Sequence, residues 1–554
     1  MNSSLCTKCS RLFNFTAEDE RLYEVLTPRI GGESFPFPQP KTCPDCRVQQ
    51  RLSWRNERAL YRRKCDFSGD DIISVYAPDA PAKVFSTEVW WSDEFDPFGY
   101  GREIDFSRPF FEQFRELDRT VPKLALYNTK SQNSAYTNYA SENKDCYLVV
   151  SALANETCFH SYRIFYSKDV IDCEYVRKCE LCYDCSSCVQ CFECESCSKC
   201  RESSRLLLCY DCIGCHDCVA CVNLRNQQYS ILNQRYSAAE YTRRRDELLQ
   251  DPHALRTAFS ELRAHEPHRA VDVIQCENCS GDQLRNCKNC SEVYLLTTSE
   301  DCRYVYTGES NKSCYDISFI DNSELCFNCG SVEQAYQVYC SQIAWYVHDC
   351  YYSHLCLNGH HLFGCSGIKR GEYCILNQPY TPAEFEVMTK RLVRHMRETG
   401  EWGEFFPMNQ SPYPYNESVA QDHYPLSQRE AVALGCHWRE PNRSEFRAQT
   451  YVGSHDIRTV HDSVCQELFV CSACGRNYRI VLQELMLYRK LGVNLPEKCP
   501  DCRHRARVGA RPARVLSSRK CAECGNEILS TFDSKSRERV VCEDCYQRMV
   551  VGIG

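Results

Sequence analysis

Several things are missing from this 554-residue chain. No run of about 18 apolar residues exists, so no membrane-spanning helix is expected. The first residues, "MNSSLCTKCSRLFNF", lack a basic stretch followed by an apolar core, so no secretory leader is expected either. The formal net charge of −8 argues against a uniformly basic nucleic-acid binder while leaving room for local basic patches. GxSxG, the P-loop, GxGxxG and HExxH are absent, which removes the signatures of common hydrolases, nucleotide binders and zinc proteases.

Cysteine, by contrast, is abundant: 44 residues, close to the level that marks a metal- or disulfide-scaffolded chain. In a reducing, cytoplasmic setting most would be thiols or metal-bound thiolates. Three four-cysteine sets stand outside the densest region: Cys6, Cys9, Cys43 and Cys46; Cys471, Cys474, Cys499 and Cys502; Cys521, Cys524, Cys542 and Cys545. Paired CxxC knuckles put four thiolates around one tetrahedral ion, and zinc is the usual structural occupant. About three zinc ions are therefore expected, with a fourth if Cys276, Cys279, Cys287 and Cys290 also close on one.

The first two sets are versions of one module. "CTKCSRLFNF…CPDCRVQQR" and "CSACGRNYRI…CPDCRHRAR" share an aromatic at Phe13 and Tyr478, a tyrosine at Tyr23 and Tyr488, and a CPDCR knuckle. This pattern resembles a probable zinc-binding domain family with a treble-clef or ribbon finger, which implies ligand roles for those eight cysteines. Tyr478 and Ile480 stand where the family pattern has two phenylalanines. The third set, ending "VVCEDCYQRMV", resembles another small bacterial CxxC…CxxCY finger.

Basic residues follow each CPDC knuckle. Read as one helix, Arg47, Arg51, Arg55, Arg58 and Arg62 fall on one stripe. Arg503, Arg505 and Arg507 follow the second knuckle. Such arginines suit phosphate contact with RNA or DNA; alternatively they pair with the chain's own acidic residues.

The middle of the chain is duplicated. Cys212–Tyr241 aligns without a gap to Cys356–Phe385 at an offset of 144, with 11 of 30 positions identical, including Ile-Leu-Asn-Gln at 231–234 and 375–378 and His216/His360. That is too many matches for chance. Each copy ends in a helix start, Ser237-x-x-Glu240 and Thr381-Pro-Ala-Glu384. Upstream lie short aromatic and aliphatic runs about every 9–14 residues, without Asn-Gly hairpin signals, which predicts stacked short strands. The expected fold is mainly β with small α+β zinc modules: a duplicated, parallel β-solenoid-like core, each copy followed by a helix, flanked by four-cysteine zinc fingers. A meander or β-sandwich is the alternative. The expected boundaries are 1–65 (finger and basic helix), 66–144 (aromatic cap), 145–236 (first copy), 237–270 (helical connector), 271–380 (second copy), 381–464 (helix and linker), 465–514 (second finger) and 515–554 (third finger).

Between Cys179 and Cys200 a cysteine recurs at every third position, eight times in succession. Neither an α-helix nor a simple strand keeps period three on one face. Three uses stay open: small inward residues of stacked coils, zinc clusters, or an iron–sulfur site, although the x3-C-P ending of bacterial ferredoxin motifs is absent. The segment Trp90–Phe114 holds nine aromatics and reads as a cap on the first coil, with base stacking as the other use.

The whole arrangement resembles a family of cysteine-rich, zinc-finger-flanked proteins of candidate-phylum bacteria, carried by "CPDCRVQQRLSWRNERALYRRKCDFSG", "WWSDEFDPFGYGREIDF", "YTNYASENKDCYL" and "CVNLRNQQYSILNQ". The resemblance implies organisation and no particular activity. Two functions are carried forward. One is a non-enzymatic zinc-binding scaffold with a nucleic-acid or protein partner and no membrane. The other is a redox or metal-handling protein using the central thiols.

Overall fold

The computed structural model describes residues 2–440 and 446–552. It is mainly β, with long parallel sheets and few helices. The chain divides into two units, each discontinuous in sequence. Unit 1 takes Met1–Ala125 and Val271–Arg439; unit 2 takes Leu126–Ala270 and Glu440–Gly554. Among the described residues no helix is long and apolar enough to cross a membrane.

Each unit holds a ladder whose rungs are twelve residues long. In unit 2, Glu180, Cys182 and Tyr183 pair in parallel with Phe192, Cys194 and Glu195, which pair in turn with Ser204, Leu206 and Leu207. In unit 1, Tyr315–Asp321 pairs in the same way with Phe327–Glu333. The offset of 144 found in the sequence is twelve such rungs, so the duplication keeps the rung phase.

The period of three follows from the backbone. Lys178, Leu181, Asp184, Ser187, Gln190, Glu193, Ser196 and Lys199 all have φ between 51° and 58°. A left-handed residue at every third position turns the chain repeatedly, so each twelve-residue rung presents four inward side chains. Such a conformation is costly for a non-glycine residue. It is offset by pairing with the neighbouring rungs: the Asp184, Ser187 and Gln190 amides donate to the carbonyls of Ile171, Glu174 and Arg177 at 3.2, 3.0 and 2.9 Å. The eight cysteines from Cys179 to Cys200 are the inward residues of two successive rungs, each no more than 2% exposed. An interior only four side chains around favours small, soft residues, and cysteine can also satisfy backbone carbonyls. The Cys185 thiol, for example, donates to the Tyr183 and Cys194 carbonyls at 3.4 and 3.3 Å.

Ile-Leu-Asn-Gln marks the end of each ladder. Leu232 and Asn233, like Leu376 and Asn377, are both left-handed, and they fold the last strand back antiparallel. The asparagine side chain then stands in for a further rung. Asn233 Oδ1 accepts from the Val222 amide at 2.9 Å, and its Nδ2 donates to the Val222 carbonyl at 3.0 Å; Asn377 does the same for Ser366, at 2.8 Å each way. The expected helices follow at Ala238–Leu248, capped by Ser237, and Pro382–Glu398, capped by Thr381 and Glu384.

Two expectations need correction. The aromatic segment does cover a ladder, but it covers the last rungs of the one in unit 1: Phe110 packs on Tyr352 and Phe363, the Arg102 amide donates to the Leu376 carbonyl, and Asn377 Nδ2 donates to the Pro97 carbonyl. The basic stripe is not one helix. That helix spans Pro44–Leu52; beyond it Asn56, fully buried, takes the Arg58 and Ala59 amides on its side-chain oxygen and donates to the Val75 carbonyl. Those bonds hold the chain in a non-helical turn, and Arg62 lies in the following strand, Tyr61–Lys64.

Candidate metal centres

Each terminal cysteine set is built from two local devices. The first knuckle is a tight turn in which the first cysteine's carbonyl accepts the amide four residues on: Ser10 to Cys6 at 2.9 Å, Gly475 to Cys471 at 3.0 Å and Gly525 to Cys521 at 3.0 Å. That fourth residue is left-handed in all three, with φ of 60°, 74° and 77°. The second knuckle starts a helix, at Pro44, Pro500 and Glu543, with Cys43, Cys499 and Cys542 as its N-caps; the contact with Cys46 brings Cys43 down to about 5, whereas burial pushes Cys499 up.

In all three sets the four sulfurs lie within 4.8 Å of one another. Cys9–Cys43, Cys474–Cys499 and Cys524–Cys542 are 3.6, 3.7 and 3.8 Å apart, Sγ to Sγ. A zinc–sulfur bond of about 2.3 Å gives a tetrahedron with an edge of about 3.8 Å. Burial resists ionisation of the leading cysteines, but the surrounding amides outweigh it and pull Cys6 down and bring Cys471 and Cys521 to about 6. Four thiolates around a divalent cation leave two negative charges. Arg505 Nη2 donates to Cys502 Sγ at 3.2 Å and Arg548 Nη2 to Cys545 Sγ at 3.6 Å, while Lys8, half-buried, lies in the field of Cys46, Cys6 and Cys43.

Cys276, Cys279, Cys287 and Cys290 are not among the sets whose ligand atoms converge. They occupy inward ladder positions, where the Cys287 thiol donates to Arg285 and Leu296 carbonyls and the Cys290 thiol to Lys288 and Ser299 carbonyls. The Cys179–Cys200 run is likewise not among the convergent sets.

Most of the arginines after the knuckles are spent inside the chain. In unit 1, Arg47 Nε donates to Asp316, and Arg51, 1% exposed, bonds Asn328 Oδ1 at 2.8 Å and Asp316 at 3.5 Å. Arg55, also buried, pairs with Glu57 at 2.6 Å. In unit 2, Arg503 pairs with Asp172, Arg507 bonds Asp172 Oδ1 at 2.9 Å and the His160 carbonyl at 3.1 Å, and Arg511 bonds Glu174 at 3.0 Å. Arg62 and Arg505 are the exposed members, and Arg58 is half-buried.

The anionic partners were not singled out from the sequence, although the signal was there. Asp172 and Asp316 are 144 apart and therefore equivalent, as Arg47 and Arg503 are equivalent after CPDC. Each module's first helix adds a second contact. Asp19 meets Arg303 at 2.9 Å and Tyr315 at 2.8 Å; its counterpart Glu484 meets His160 at 2.9 Å and Arg503 at 3.8 Å. Of the histidine pair kept between copies, His216 bonds the Ser204 hydroxyl at 2.8 Å and His360 stacks on His348.

No protein-family profile matches the chain, and no curated protein matches it. Among solved structures, one from Desulfovibrio desulfuricans G20 that carries the provisional name acetyltransferase is similar at 9% identity, over 51% of this chain and 69% of that one. Its TM-score is 0.10, too low to carry any argument about fold or activity.

Proposed function

We propose that the protein is a non-catalytic binding scaffold in which each ladder is a parallel β-solenoid and each terminal cysteine set holds a structural zinc ion. The observation that carries this reading is the repeated clamp: the residues directly after the second knuckle, Arg47 and Arg51 or Arg503 and Arg507, converge on one ladder aspartate, Asp316 or Asp172. A metal that fixes the knuckle fixes the start of that helix, and so aims the arginines. Metal binding then becomes folding energy for a module too small to have much core of its own. The sulfur spacing supports zinc, and the interior thiols are packing. Nucleic-acid contact through the stripe is not part of this reading, because Arg47, Arg51, Arg503 and Arg507 are already committed to ladder residues.

Elemental analysis with ultraviolet–visible absorption tests it. The expected result is about three zinc ions per chain and no visible absorbance. Iron with inorganic sulfide and a broad visible band would overturn it in favour of a redox or metal-handling protein.

A further inference from the structure

The two ladders differ on one outer face. In unit 1 that face carries an aromatic column, Phe327, Tyr339, Tyr351 and Phe363, with successive rings of the last three 4.9 and 5.5 Å apart. Phe37 and Trp402 cover it: Phe37 lies 4.3 Å from Phe327, 5.7 Å from Tyr339 and 4.9 Å from Trp402. The equivalent positions in unit 2 are Tyr183, Glu195, Leu207 and Val219, and the lost ring volume leaves a cleft of roughly 340 Å³. Leu181, Tyr183, Leu207, Tyr241, Leu491 and Val493 form apolar walls.

The charges around the cleft are unevenly matched. Its three cations already have carboxylate partners: Arg205 grips Asp217 at 2.7 and 2.8 Å, Lys490 bonds Asp169 at 2.7 Å, and Arg245 bonds Asp246 at 2.9 Å. Like the exposed Glu193, the half-buried Glu195 of the lining makes no side-chain hydrogen bond or ion pair among the described residues. Burial pushes its carboxyl up, with Asp184 adding to this, and only Arg256 pulls the other way. A carboxylate in a partly apolar cleft is stabilised most by a cation that brings its own hydrogen-bond donors.

We propose that this cleft binds a small organic cation, a primary ammonium on an aromatic or branched apolar body, with the ammonium on Glu195 and the body where unit 1 has the rings of Phe37 and Tyr339. The proposal rests on the scaffold reading only in treating the face as a binding face. It needs no particular metal, so a failed zinc count and a failed titration are distinguishable.

The test is calorimetric titration of the full-length protein with phenethylamine, and with 2-phenylethanol as a neutral isostere. Phenethylamine should bind saturably with a Kd of about millimolar or tighter. The alcohol should bind at least about tenfold more weakly. Glu195→Gln should weaken phenethylamine about tenfold, and Glu195→Tyr, the residue of the other copy, should abolish binding, with the circular dichroism spectrum unchanged in both. No saturable binding, equal binding of amine and alcohol, or binding unaffected by both substitutions would overturn the proposal. If Glu195→Tyr alters the spectrum, Glu195→Gln decides alone.

Discussion

Unit 1 sets Asp19 against Arg303 and Tyr315, whereas unit 2 sets Glu484 against His160 and Arg503. The clamp below is the same in both, two arginines on one aspartate. Its invariant part is thus the helix that leaves the second cysteine knuckle, while the module's other helix has changed partners. A second difference lies one rung along. Arg51 finds the neutral Asn328 at 2.8 Å, but the equivalent residue in unit 2 is Asp184, whose carboxyl is pushed up to about 6 by burial and by the nearby Asp172. Unit 1 thus has a neutral side chain where unit 2 has a half-buried carboxyl.

The comparison can be broken most severely at the clamp. Asp316→Ala leaves Arg47 and Arg51 buried without their shared carboxylate, keeping only the neutral Thr42 carbonyl and Asn328, and should cost about 3–5 kcal/mol, read by urea unfolding. Asp172→Ala should cost less, about 2–3 kcal/mol, because Glu174 and Glu484 remain near Arg507 and Arg503 at 3.7 and 3.8 Å. Equal losses would mean that those carboxylates do not help.

Asp184→Asn copies unit 1 into unit 2 and should stabilise it. The folded pKa is raised, from 3.8 to about 6. The wild-type chain therefore loses stability as pH rises from about 4 through about 6, and the variant's advantage grows over that window to about 2–3 kcal/mol at pH 7. Glu174 has the opposite sign. Against the burial that would raise it, His504 and Arg511 hold it at about 2, so its contribution is lost as pH falls from about 4.5 toward 2. Denaturant midpoints at pH 3, 5 and 7 separate the two effects.

Smaller effects sharpen the account. Cys182→Ala opens a cavity among thiols and should cost about 1–2 kcal/mol without releasing zinc. Loss of an ion would place that cysteine in a metal site. Ser10 holds the left-handed corner that Gly475 and Gly525 hold in the other knuckles, at φ 60°. Ser10→Gly should therefore stabilise the first finger by about 0.5–1 kcal/mol, read from its unfolding midpoint.

Much of this organisation was legible in the sequence. The CxxC pairs announced three four-thiol sets because ligand spacing is a local property. The 144-residue offset announced the copies, and the short runs announced parallel strands. What stayed hidden depended on long-range contact. The Arg51–Asp316 pair joins residues 265 apart, and no local pattern says which surface a stripe faces. Period three pointed to inward packing among its open uses, but its backbone cause stayed hidden: the left-handed corners fall on a mixed set from Lys178 to Lys199, in which leucine, glutamate and lysine carry no turn signal. Asn233 and Asn377 were visible as shared residues, but their role as ladder ends required the hydrogen bonds.

The central claim is that terminal sulfur holds metal and interior sulfur holds rungs together. Elemental analysis of the full-length chain beside a variant with Cys182, Cys185, Cys188 and Cys191 changed to alanine tests it most directly. Three zinc ions in both proteins is the predicted result; a count that falls in the variant, or any stoichiometric iron in the parent, would contradict it.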